Sequence, residues 1–170
     1  LAQTCARFWG TQGNLQIGRS TLEGQTSMSH APSIVWFKRD LRNHDHAPLL
    51  AASQSNSPVI PLYIVEPEYW QQAFASRRHW HFIHDCLVDL NIALTDLGQP
   101  LIVRVGDVCD VLAQLHEQHG VGDVYMHEET GNSWTYDRDL KVGKLCLDRN
   151  ISSHEFPTNG VVRRLRSRDD

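Results

Sequence analysis

The sequence predicts a three-layer α/β domain built on a five-stranded parallel sheet. Short apolar runs alternate with helical patterns from residue 33 onward. The 170 residues suffice for one domain with a substantial core, and too few remain for two large ones. A composition of 41% hydrophobic and 21% charged residues is ordinary for a globular chain. Strands that alternate with helices imply a parallel sheet covered on both faces through right-handed crossovers, with strand order 3-2-1-4-5 expected.

Ser33 to Phe37 (SIVWF) is a short apolar run, as a strand buried on both faces should be. Ala47 to Ser53 is rich in Ala and Leu and follows Asp45, the expected N-cap of a helix. Val59 to Val65 is the second strand, and Pro61 within it lacks a ladder donor, which argues against a central position. Arg78 to Leu97 is the clearest helix. Phe82, Cys86, Leu90 and Leu94 recur at a spacing of four, Ile83, Leu87 and Leu97 widen the stripe, and Gly98 with Pro100 ends it. Leu101 to Val105 is the third strand, Val108 to Gln118 a helix closed by Gly120, and Val124 to His127 the fourth strand. Asn132 to Arg149 is a further helix, and Ile151 to Phe156, before Pro157, a weak fifth strand. The result is a Rossmann-like arrangement. Ligands in such sheets sit at the carboxyl ends of strands, near the point where strand order reverses. That directs attention to Lys38–Asp45, Glu66–Trp70 and Glu128–Trp134.

The first 27 residues stand apart, punctuated by glycine, Gln, Ser and Thr without a sustained apolar period. They are expected to be an extension before a start at Met28, or else an arm anchored by Phe8 and Trp9. The domain proper is expected over 28–156, and 157–170 leads out of it. A net charge of -4 argues against a broad basic face for nucleic acid. A local basic run, Arg163, Arg164, Arg166 and Arg168, suits a linker docking onto a missing partner better than a salt-sensitive nucleic-acid contact. Cys5, Cys86, Cys109 and Cys146 show no zinc spacing and are expected to be reduced, mostly buried thiols, as in a cytoplasmic protein. No apolar run is long enough to span a membrane, and the start is not a signal peptide. Among ten histidines, His81 and His84 could share a helix face, but nothing frames them as a metal site. No glycine-rich dinucleotide loop, P-loop, nucleophile elbow or zinc-protease motif is present.

Trp36-Phe37-Lys38-Arg39-Asp40-Leu41-Arg42-Asn43-His44-Asp45 is the most informative segment. A buried strand opens there into a charged loop that could hold an anionic or polar ring ligand, or could close on itself through ion pairs among Asp40, Arg42 and Asp45. The segment resembles the opening WFxxDLRxxD signature of photolyases and cryptochromes. Tyr63-Ile64-Val65-Glu66-Pro67, Arg78-His79-Trp80-His81-Phe82-Ile83, Glu128 to Asn132, Tyr136 to Asp139 and Phe156 to Leu165 resemble further family segments in order. The likeness runs from about Ser33 to Asp169.

That resemblance implies an amino-terminal α/β domain binding a light-harvesting antenna chromophore, typically a folate or deazaflavin. The antenna passes excitation to FAD in a separate helical domain, which also meets damaged DNA; the chain alone would be inert. Carried over by position, the candidate antenna contacts are Lys38, Glu66, Arg78, Glu128 and Glu129. Carboxylates there could accept from the NH groups of a pterin-like ring, and cations could meet a phosphate or glutamate tail. Trp36, Trp70, Trp80 and Trp134 are expected to pack in the core or at its rim, since the family's tryptophan relay lies in the flavin domain. Two other readings stay open: a free-standing nucleotide-binding module, and a structural interaction domain with an empty cleft.

Overall fold

The computed structural model describes residues 30–158. The amino-terminal extension, its anchors Phe8 and Trp9, and the basic run at Arg163 to Arg168 lie outside the described residues. Five strands form one parallel sheet: β1 (Ser33–Phe37), β2 (Val59–Val65), β3 (Ile102–Val105), β4 (Asp123–His127) and β5 (Ser152–Phe156). Their order is β3-β2-β1-β4-β5, as expected, so the direction of winding reverses between β1 and β4.

The connecting helices are α1 (Ala47–Ser53), α2 (Pro67–Gln71), α3 (Arg77–Asp96), α4 (Val108–His119) and α5 (Ser133–Asp148). Alternate side chains of β1 serve opposite faces, because successive residues of a strand point to opposite sides. Ile34 and Trp36 join the core beneath α4 and α5 with Leu112, Leu115, Val124 and Val142. Val35 and Phe37 join the core beneath α1 and α3 with Ala52, Leu87, Leu90 and Leu94. All five residues of β1 are fully or almost fully buried, which is why that strand reads as one apolar run without alternation.

Local chemistry sets the ends of the helices. Asp107 caps α4 by accepting from the amides of Cys109 and Asp110, and Gly120 closes it with a left-handed φ of 67° that a Cβ would strain. Asn132 caps α5 through the amide of Thr135. Pro61 is tolerated although β2 lies inside the sheet: the ladder to β3 begins only at Leu62, so at Pro61 that side is still an edge.

Three expectations are corrected and one element is added. The N-cap of α1 is His46, not Asp45; its side chain accepts from the Leu49 amide, while Asp45 turns the chain with a φ of 47°. Residues 67–71, to which the sequence reading assigned no element, form the short helix α2, started by Pro67 at its first turn. On α3 the buried residues are Trp80, Ile83, Leu87, Leu90 and Leu94, spaced alternately three and four. Phe82 and Leu97 are exposed, at 66% and 68%. A strict spacing of four rotates by about 40° per step on a helix of 3.6 residues per turn, so Phe82 and Leu94 cannot both face the sheet. Of the described cysteines only Cys146 is buried; Cys86 and Cys109 are half-buried.

Leu87→Ala should therefore cost about 2–5 kcal/mol of stability, through lost burial and the cavity left behind. Phe82→Ala should stay within about 0.5 kcal/mol, as exposed substitutions do. Urea unfolding followed by circular dichroism reads both, and equal losses would contradict the assignment of the buried face.

Candidate functional site

Parallel strands deliver their carboxyl ends, and the loops that follow, to one edge of the sheet. Trp36 and Lys38 come from the end of β1, Glu66 from the end of β2, and His127, Glu128 and Glu129 from the end of β4. Arg138 and Asp139 reach the same edge from the first turns of α5. The side chains meet at the reversal between β1 and β4, where folds of this kind place ligands.

Arg138 is the hub. Its guanidinium donates to Glu66 at 2.9 Å, to Glu129 at 2.5 Å and to Asp139 at 2.9 and 3.0 Å. Asp139 also accepts from the Lys38 ammonium at 2.8 Å. The Trp36 ring centroid lies 5.0 Å from the guanidinium carbon and 4.6 Å from the Lys38 nitrogen, so two cations lie against one aromatic ring. Burial pushes the Glu66 carboxyl up to about 7, with the attraction of Arg138 opposing it. Burial also works against the Arg138 charge, but Glu66, Asp139 and Glu129 outweigh it and raise its pKa further. The cavity left among Trp36, Lys38, Glu66, Tyr69, Glu129 and Arg138 is about 40 Å³. Next to it the Tyr69 ring stacks edge-on against Trp70, Phe74 and Trp134, at centroid distances of 5.2, 5.3 and 5.5 Å.

A second cluster centres on Asp40. Its Oδ2 accepts from His46 Nε2 at 2.7 Å and from His127 Nδ1 at 2.5 Å, and its Oδ1 accepts from the Lys38 amide at 2.9 Å. Burial raises the Asp40 pKa, but the hydrogen bonds from His46, His127 and the Lys38 amide win and hold it well below the usual carboxylate range. The three side chains offer ligand-type atoms within 4.8 Å of one another. The helix cap argues against a metal among them. His46 Nδ1 accepts from the Leu49 amide at 3.1 Å, so the ring proton must sit on Nε2, the nitrogen that a metal would need bare. The cluster is a carboxylate bridging two imidazole N–H groups.

Of the expected contacts, the structure gathers Lys38, Glu66 and Glu129 in the Arg138 network. Glu128 lines a second cleft, of about 130 Å³, with Lys38, Arg39, Asp40, Arg42 and His127. Arg78 is exposed on the first turn of α3 and lines neither cavity. The ion pairs considered for Asp40, Arg42 and Asp45 do not form: Arg42 donates to the Asp45 backbone carbonyl at 3.2 and 3.0 Å. Trp36, Trp70 and Trp80 are buried and Trp134 is half-buried, as packing residues. Sequence reasoning missed Arg138, His46 and His127 as members of the site. The available signals were an Arg-Asp pair one turn into a helix and polar residues abutting buried elements.

Comparison with known proteins places this geometry in context. The profile of the DNA photolyase family matches residues 33–167. A cryptochrome DASH of Gloeobacter violaceus is 32% identical over 136 residues, which cover 74% of this chain and 26% of that protein. A deoxyribodipyrimidine photo-lyase of Agrobacterium fabrum is 36% identical over 98 residues, 58% of this chain and 20% of that one. The crystal structure of a photolyase from Sulfolobus tokodaii superposes with a TM-score of 0.68 at 26% identity, covering 74% of this chain and 29% of that one. It holds two FAD molecules and implicates a novel light-harvesting cofactor. The chain thus spans between a fifth and a third of the length of these relatives.

Arg138→Met should cost about 3–5 kcal/mol in urea unfolding, because it strands buried carboxylates without their cation. Asp40, with its depressed pKa, contributes stability that is full above about pH 3.9 and fades as pH falls below that value. The stability gap between wild type and Asp40→Asn should therefore narrow as pH falls from about 4 towards 2. Glu66 has the opposite sign. Its raised pKa contributes stability that is full below about pH 4.3 and lost as pH rises through about 7. The gap between wild type and Glu66→Gln should shift in favour of Gln over that range, and a gap independent of pH would contradict the assignment.

Proposed function

The chain belongs to the DNA photolyase family, whose profile matches most of it, and from that premise we propose that it is the antenna-carrying α/β domain of a light-driven flavoprotein. The parent protein is either a photolyase that repairs ultraviolet-damaged DNA or a cryptochrome that signals in blue light. The reading is carried by the convergence of Lys38, Glu66 and Glu129 from three strand ends on one cleft flanked by tryptophans.

In this proposal the domain holds a folate, deazaflavin or second flavin. The carboxylates of Glu66 and Glu129 accept from ring NH groups, and Lys38 and Arg39 face anionic parts of the ligand. Glu128 and Arg78 are proposed as outer contacts, Arg78 only if the ligand extends over α3. The antenna passes excitation to FAD held in the remainder of the protein, and damaged DNA is engaged there too. This chain alone is proposed to be catalytically inert and to act in the cytoplasm. Among the described residues no helix is long and apolar enough to cross a membrane.

One observation favours a second reading, a purely structural domain without chromophore. The carboxylates are already satisfied by Arg138, and the cavity between them, about 40 Å³, is smaller than any such ring.

An absorbance spectrum separates the two. Antenna binding predicts a near-ultraviolet to violet band that copurifies with the protein and weakens in Glu129→Ala. A full-length protein with FAD but no such band supports the structural reading, and one with neither chromophore sinks the light-driven assignment.

A further inference from the structure

The cleft of about 130 Å³ beside β4 adjoins the Arg138 network and shares Lys38, Arg39 and Glu129 with its cavity, but Arg42, His127 and Glu128 line this cleft alone. We propose that it is an oxyanion site, taking a phosphate or carboxylate group, with Arg39 and Arg42 as permanent cations and His127 as a pH-dependent donor.

Three observations carry the proposal. First, the bond from His127 Nδ1 to Asp40 fixes the proton on Nδ1, and Nε2 makes no bond to protein. Among the described residues no fully buried side-chain nitrogen or oxygen lacks a partner. Nε2 therefore reaches the cleft that His127 lines. Second, the cations on this cleft are weakly spent. Arg42 uses Nε and one terminal nitrogen on a backbone carbonyl and pairs with no carboxylate within 4.0 Å among the described residues. The Arg39 side chain is 59% exposed and meets Glu129 only at 3.8 Å. Third, most facing carboxylates are committed: Asp40 to two imidazoles and an amide, Glu129 to Arg138. Glu128 on the cleft wall is the charge that opposes an anion.

Imidazole changes charge between about pH 5 and 8, whereas guanidinium does not. Neutral His127 presents a lone pair at Nε2 and repels an oxyanion; protonated, it donates to one. His46 cannot act in its place, because its Nδ1 holds the α1 cap and its Nε2 faces Asp40. Lys38 is tied to Asp139. Anion affinity should therefore fall as pH rises, through His127.

Sulfate is the probe, because its charge is constant over this range. Titrated calorimetrically into the 170-residue chain at low ionic strength, it should bind about tenfold more tightly at pH 6 than at pH 8, the gain of one charge-assisted hydrogen bond. His127→Asn keeps a donor toward Asp40, lacks the outer nitrogen, and should abolish the pH dependence. Arg42→Gln should weaken binding at both pH values and preserve the ratio. On wild type alone, imidazole ¹⁵N correlations should show Nε2 of His127 gaining a proton as sulfate is added at pH 7, so the test survives a variant that fails to fold. Methyl phosphate and glutamate in separate titrations distinguish a phosphate source from a carboxylate source. No sulfate binding at pH 6, equal affinity at both pH values, or an unchanged Nε2 signal would overturn the proposal. Lys38, Arg39 and Glu128 also serve the antenna reading, but the two fail separately: a chain without chromophore that binds sulfate with this pH ratio still supports the oxyanion site.

Discussion

Arg138 reaches from α5 across the carboxyl ends of β2 and β4, and it is buried there with Glu66, Glu129 and Asp139. A buried guanidinium is tolerable only if its donors are matched, and buried carboxylates are tolerable only beside such a cation. Each of these groups thus requires the others. Asp139 extends the requirement to Lys38 at the end of β1, so one charge cluster fixes the relative positions of three strand ends and a helix. Replacing the cluster with apolar groups need not cost stability; what it supplies is a defined polar floor for the cleft.

Asp40 solves a related problem on the other side of β1. Its carboxylate ties the end of β4, through His127, to the start of α1, through His46, while His46 caps that helix with its other nitrogen. Both ends of the imidazole are used, so the His46 tautomer follows from geometry. His127 spends Nδ1 on Asp40, and its side chain lines the second cleft. The two clusters differ in composition: one gathers two cations with three carboxylates, the other sets one carboxylate between two imidazoles.

The fold was largely legible. A parallel sheet buried on both faces forces continuous apolar strands, and SIVWF and VIPLYIV display that constraint directly. Caps such as Asp107 and Gly120 act within a few residues and can be read in place. The buried face of α3 was read less well, because two overlapping apolar series ran along one helix and only the sheet beneath selects between them. The site was legible as a region. Lys38, Glu66, Glu128 and Glu129 lie where strand ends must lie, yet Arg78, on the first turn of α3, is exposed and lines neither cavity.

By itself the sequence determined the α/β class, the strand order expected of its winding and the edge at which polar groups gather, because those follow from local periodicity and from the handedness of crossovers. Its likeness to a family was carried by short segments in order. Tertiary structure alone decided which charges pair. Arg138 meets Glu66 across 72 residues, and His127 meets Asp40 across 87. Neither pairing has a local signature, since a buried ion pair is specified by the positions of both backbones and not by the residues flanking either one.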